Sequence, residues 1–263
     1  MIVTEPKVFL VGQSRLNVQE MEDFLDEEKT VFTNWDNETL QYEDAEVISE
    51  TAGRLCYLSF ANPRPGGTKA YLDHIKTVGH GSVLEHSSFS FIITDVPLYF
   101  THELVRHRAG TAYSQMSGRY CDLSKVNFFS PYYVNKYMPD TFNDMVETAS
   151  SHYTYIKETL YDKMMEDPDI DYDNRTIRKI INSEARSVLP QATTTKIFLT
   201  ANIRALRHMI EMRCSSEAEY VIRQVFNSIF NIVCDEAPNL FSDYEVRGYK
   251  DGTKIIETQD RKV

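Results

Sequence analysis

Two runs of strand-forming residues, each leading through a helix-starting signal into a helical segment, most constrain what this chain can fold into. In the first, His86 to Thr94 reads HSSFSFIIT, with Phe89 and Phe91 spaced as one face of a pleated strand requires. Pro97 then suits the first turn of a helix from Leu98 to about Arg108, where its missing N–H is not needed. In the second, Thr193 to Thr200 reads TTTKIFLT and passes through Asn202 into a helix over Arg204 to Arg213, followed by another over Glu217 to Cys234. Strands that feed helices imply the α/β class, or a mixed α+β variant, with helices around a mixed sheet.

The remaining segments fit around that frame. Lys7 to Gly12 reads as a first strand and Val18 to Glu28 as an acidic helix capped by Asn17. Thr30 to Ala45, with the only Trp, reads as a connection, and Glu46 to Tyr57 as a helix stopped before the breaker Pro63-Arg64-Pro65-Gly66-Gly67. Thr68 to Val78 is a helix closed by Gly79. Asp140 to Met165 is a long surface helix, Asn174 to Val188 another helix, and Tyr249 to Lys254 a hairpin tip. Without repeats or a long linker, residues 1–263 read as a single domain with a charged C-terminal extension from about residue 240 to 263.

Composition narrows the function classes. With 28 Lys plus Arg against 39 Asp plus Glu, the formal charge of −11 disfavours a general grip on nucleic acid or an anionic membrane, so anionic ligands need a local basic cluster. The first 20 residues lack a basic start followed by an apolar run, and no stretch approaches the roughly 18 apolar residues of a membrane span. Cys56, Cys121, Cys214 and Cys234 are too far apart for a C-x-x-C unit, so a reduced, cytoplasmic protein is expected. His102 and His107 lie five apart, about 140° around a regular helix, so no metal site is expected from that pair.

Gly79-His80-Gly81-Ser82 lacks the third glycine of a dinucleotide fingerprint, and Gly66-Gly67-Thr68-Lys69 lacks the order of a phosphate loop. Arg106-His107-Arg108 is more informative because the small, hydroxyl-rich stretch Ala109 to Tyr120 follows it. Two guanidinium groups can hold phosphates while hydroxyls and backbone N–H groups complete the shell. The same triplet also reads as a solvated helix end with cations placed favourably at the C-terminus.

The ordered set of segments decides between them, because it resembles the flavin-dependent thymidylate synthases. Arg106-His107-Arg108 followed by Ser117-Gly118-Arg119-Tyr120 is similar to that family's signature, with eight residues rather than the usual seven between triplet and serine. Arg54-Leu55-Cys56-Tyr57, His80 to His86, Arg186 to Pro190, Asn202-Ile203-Arg204 and Arg213 resemble its other segments in order.

The resemblance implies conversion of dUMP to dTMP with methylenetetrahydrofolate as carbon donor, FAD as hydride carrier and NADPH as reductant. It assigns Glu103, Arg106, Gln115, Met116, Ser117, Gly118, Arg119, Arg186 and Arg213 to dUMP. Ser82, Arg106, His107, Arg108, Gln115, Asn202, Arg204 and His208 fall to FAD, and His80 to the folate side. Arg213 is the implied catalytic group, stabilising uracil ionised at N3 in place of a cysteine nucleophile. A homotetramer with shared active sites is implied too, and the nine-residue step from Arg204 to Arg213, about 180° on a helix, agrees with residues of one helix serving different copies. Sibling chemistries, UMP methylation or pyrimidine-nucleotide hydroxymethylation, and a non-catalytic nucleotide-binding regulator remain the alternatives.

Overall fold

The computed structural model describes residues 1–33, 35 and 38–261. Among them the strands are β1 (Ile2–Val3), β2 (Lys7–Gln13), β3 (Ser88–Pro97), β4 (Thr111–Gln115), β5 (Phe128–Phe129), β6 (Thr194–Asn202), β7 (Tyr244–Gly248) and β8 (Lys254–Thr258). The helices are α1 (Val18–Glu27), α2 (Asp44–Leu55), α3 (Gly67–Val78), α4 (Leu98–Leu104), α5 (Tyr132–Tyr137), α6 (Pro139–Glu166), α7 (Asn174–Ala185), α8 (Ile203–Arg213), α9 (Tyr220–Glu236) and α10 (Pro238–Phe241). Helices and sheets mix as the two strand-to-helix runs imply. No described helix is long and apolar enough to cross a membrane.

The chain divides into two compact units. One comprises residues 8–92, His107–Tyr113 and the segment from Leu199 onward. Strands β2, β3, β6 and β4 are neighbours in that order in one sheet. Period-two patterning explains the sheet's buried side: Phe89 and Phe91 of β3, and Leu199 and Ala201 of β6, are all at most 1% exposed. The Asn17 side chain caps α1 through the Glu20 N–H, and Gly79 closes α3 in the left-handed region at φ 79°. Asn202 caps α8 by accepting from the Ala205 N–H at 2.9 Å.

The connection around the Trp is more than a connection. Trp35 and Phe32 pack with Leu25, Val47 and Phe60 in a buried cluster, and the Trp35 Nε1–H donates to Glu22 at 3.3 Å. Asn34, Asp36 and Asn37 of that segment lie outside the described residues.

The charged C-terminal residues form α10 and an antiparallel hairpin of β7 with β8, whose Ile255 and Ile256 are buried. Lys262 and Val263 lie outside the described residues. Arg207 of α8, fully buried, binds both carboxylate oxygens of Asp243 at 2.8 and 2.7 Å. Lys76, 1% exposed, approaches the same carboxylate at 3.2 Å.

The other unit comprises Met1–Lys7, Ile93–Arg106 and Ser114–Phe198. In it β1 pairs with β5 in parallel, and α6 packs with α7. Tyr153 of α6, fully buried, joins Leu123 and Ala185 in a cluster against which Met116 packs. The Tyr153 hydroxyl accepts from the Leu123 N–H at 3.0 Å, pinning the loop that follows Arg119 and Tyr120.

Helix α4 is shorter than the sequence suggests, ending at Leu104 rather than near Arg108. Just past it the Arg106 N–H donates to the Glu103 carbonyl at 3.3 Å, a tighter turn that closes the helix, and the His107 carbonyl accepts the hydroxyls of Thr111 at 2.7 Å and Tyr113 at 2.8 Å. Gly110, at φ 69°, then turns the chain into β4, a strand the sequence reading missed.

Candidate active site

Of the positions that the resemblance assigns to flavin, Ser82, His107, Arg108, Asn202, Arg204 and His208 lie in the unit that contains α8, and Arg106 and Gln115 in the other. A cavity of about 360 Å³ is lined by Glu85, Ala109, Gly110, Asn202, Arg204, Ala205, His208 and Arg261. The Asn202 N–H donates to the Gly110 carbonyl at 2.9 Å, and a Cβ on Gly110 would come within 2.7 Å of the Asn202 amide. Close approach of these two segments therefore needs the glycine. Arg204 pairs with Glu85 at 2.5 Å.

Arg204 also lines a second cavity of about 330 Å³ that includes Cys56, Tyr57, Tyr71, His80 and Ser82. The resemblance's early segment thus divides between the cavity and the core. Cys56 and Tyr57 face this cavity, whereas Arg54 is 2% exposed, paired with Glu50 at 2.5 Å and lying over the Phe32 and Tyr71 rings at 5.1 and 5.0 Å. Arg54 organises the wall.

Arg213, the last residue of α8, donates from Nε to the His107 Nε2 at 2.8 Å. The His107 ring meets His208 edge to face, with centroids 5.9 Å apart. Burial, then the charges of Arg213 and His208, push the His107 imidazole down to about 4. At neutral pH the ring is uncharged and carries its proton on Nδ1, since Nε2 accepts. Next to Arg213, Cys214 is fully buried and its thiol is pushed up to about 12 by burial.

The helical wheel is thereby corrected in two respects. Arg213, His107 and His208 form a continuous array leading to the cavity that Arg204 lines, so the 180° separation no longer argues for different copies. Arg207, which a regular helix places on the same side as Arg204 and His208, turns into the core instead.

Of the positions that the resemblance assigns to the nucleotide, all but Arg213 lie in the other unit. The division falls between Arg106 and His107, so the triplet places Arg106 with the nucleotide residues, and His107 and Arg108 with α8. The Ser117 carbonyl accepts from the Tyr120 and Cys121 N–H groups at 3.1 and 3.0 Å, and its hydroxyl from the Arg119 N–H at 3.4 Å. A Cβ on Gly118 would lie 3.5 Å from Arg186 Cδ, so Ser117-Gly118 and Arg186 are neighbours despite their sequence distance. Glu103 lies in the last turn of α4, Gln115 ends β4, and Met116 donates its N–H to the Lys196 carbonyl at 2.9 Å. Arg106, Arg108, Arg119 and Arg186 are all exposed. Among the described residues no group of three or more His, Cys, Asp or Glu side chains is placed to hold a metal ion.

The model of a protein family described as thymidylate synthase complementing protein matches residues 38–239. The chain belongs to this family. Among its relatives named flavin-dependent thymidylate synthase, the protein of Mycolicibacterium vanbaalenii is 38% identical over 214 residues, covering 80% of this chain and 83% of that protein. That of Mycobacterium sp. strain KMS is 37% identical over 220 residues, covering 82% and 86%. That of Mycobacteroides abscessus is 39% identical over 214 residues, covering 80% and 83%. Every segment of the resemblance to flavin-dependent thymidylate synthases, from Arg54 to Arg213, lies within the matched span, whereas Asp243 and Arg261 lie beyond it.

Sequence reading missed Gly110 and Arg261 at the cavity. The glycine after Arg-His-Arg-Ala was the available signal for the first. No local pattern marks the second, because the hairpin brings it there.

Proposed function

We propose that this chain is a flavin-dependent thymidylate synthase, methylating dUMP to dTMP with methylenetetrahydrofolate as carbon donor and NADPH as reductant of FAD. The residues fit a flavin dinucleotide: Asn202, Arg204 and His208 surround a cavity whose donors suit anionic phosphates, and Gly110 leaves backbone accessible where a side chain would intrude. Ser82, His107, Arg108, Asn202, Arg204 and His208 would hold it, with Arg106 and Gln115 contributing from the sequence assignment. When bound, the reduced flavin supplies the hydride.

The protein's own task is to make uracil C5 nucleophilic. A thiolate adding at C6 or ionisation at N3 would do so. The observation that carries the reading is Arg213 beside Cys214: the guanidinium stays charged, whereas the buried thiol is held out of its reactive form. Arg213 donates to the developing N3 anion, and neutral His107 orients it without competing for charge. Arg106, Ser117, Gly118, Arg119 and Arg186, with Glu103, Gln115 and Met116, hold the nucleotide, the arginines neutralising its phosphate. His80 serves the folate side from the second cavity.

Incubating the full chain with dUMP, methylenetetrahydrofolate, FAD and NADPH, and weighing the products by mass spectrometry, should give dTMP. A hydroxymethylated product, or turnover of UMP alone, would move the chain to a sibling chemistry. Nucleotide binding without turnover would make it a regulator.

The family's homotetramer is part of the proposal, and the exposure of Arg106, Arg108, Arg119 and Arg186 in the single chain supports sites completed by another copy. Mixing Arg186→Ala and Arg213→Ala variants, whose substitutions lie in different units, under subunit exchange should restore activity. Absence of recovery, with a monomeric mass and full activity of the unmodified monomer, defeats shared sites. A cytoplasmic location agrees with four free cysteines.

A further inference from the structure

We infer that Arg261, in the C-terminal segment beyond the family match, is a further ligand-binding residue of the flavin-side cavity, its guanidinium holding a phosphate of the dinucleotide. The inference rests on the flavin reading of that cavity. Arg261 lines it together with Asn202, Arg204 and His208. It pairs through Nε with Glu211 of α8 at 3.3 Å and donates from the same nitrogen to the Thr258 carbonyl at 3.4 Å. Both bonds use Nε, which leaves the two terminal NH2 groups as donors for a ligand. That forked donor set matches phosphate oxygens.

The position of Arg261 is built into the fold. Ile255 and Ile256 of β8 are at most 1% exposed and fix the strand that precedes it. The Thr258 hydroxyl donates to Asp243 at 2.5 Å and accepts from the Asp260 N–H at 3.0 Å. Asp243 in turn clamps Arg207 of α8, the helix that carries Arg204 and His208. The tail and the cavity wall are therefore held by one network. Each of the two cavity guanidinium groups has one carboxylate partner, Arg204 with Glu85 and Arg261 with Glu211, so the attraction for phosphate rests on the terminal NH2 donors of Arg261 rather than on net charge.

The test measures binding of FAD and of riboflavin, which lacks phosphate, to the full chain and to Arg261→Lys, Arg261→Ala and Arg261→Glu. Because the Arg261 side chain is 65% exposed, solvent screening limits the loss of FAD affinity for Arg261→Ala to about five- to tenfold. Arg261→Lys should fall between it and the unmodified chain, and Arg261→Glu should be weakest, with riboflavin affinity equal throughout. Unchanged FAD affinity across the three variants, or equal losses for riboflavin, would overturn the inference alone. An unmodified chain that binds neither flavin would overturn the flavin reading and this inference with it.

Discussion

Arg213→Ala should lower dTMP formation by about 10²- to 10³-fold while FAD remains bound, the size expected when one donor to a developing anion is removed. The variant also removes the charge that helps hold His107 down near 4, so its imidazole should titrate closer to the usual histidine range, about 6.5. Activity and histidine titration, the latter followed by NMR, thus report the same contact. Cys214→Ala should keep most activity, because a fully buried thiol with its pKa at about 12 supplies almost no thiolate at neutral pH. Cys56 and Cys121 are exposed, and their alanine variants complete the comparison. Loss of turnover in any cysteine variant with flavin and nucleotide still bound, together with an active Arg213→Ala, would transfer the chemistry to a thiolate.

The second large effect is on stability. Asp243→Ala should destabilise the protein by about 3–5 kcal/mol, since it strands a fully buried guanidinium and leaves Lys76 short of a partner. In a thermal melt this corresponds to roughly 10 °C or more. Burial raises the Asp243 pKa, but the hydrogen bonds and charge of Arg207, with Thr258 and Lys76, outweigh it and hold the carboxyl well below the usual range. A depressed folded pKa means that this stabilisation is present above the unfolded value, about 3.9, and is lost as pH falls below it. Asp243→Asn should therefore flatten the acid limb of the stability profile. An acid limb identical to that of the unmodified chain, or a melt shifted by less than about 2 °C in Asp243→Ala, would mean that the pair contributes little.

Local signals carried much of the fold. Phe89 and Phe91 at period two, the Asn17 and Asn202 caps, and Gly79 in its left-handed cap all act within a few residues of themselves, so they are readable without tertiary knowledge. The ordered motifs from Arg54 to Arg213 likewise pointed to the family, and the positions Ser82, Asn202, Arg204 and His208 do line cavities. The end of α4 at Leu104 was not legible, because no Gly or Pro stands between Leu104 and Ala109 and the turn at Gly110 comes only later.

Helical geometry alone could not separate Arg204 from Arg207. Both are long cations one turn apart, and only Asp243, 36 residues further on, makes burial of one of them tolerable. Arg261 is the extreme case: its position at the cavity follows from a hairpin, the Asp243 carboxylate and Glu211, none of which leaves a mark on neighbouring residues. The sequence by itself thus determined the class of fold, the helix caps and the family chemistry, since these rest on short-range periodicity and on ordered residue types. Tertiary structure decided which cations line a cavity and which face the core, because the stability of a buried charge is set by partners that only folding brings within hydrogen-bond reach.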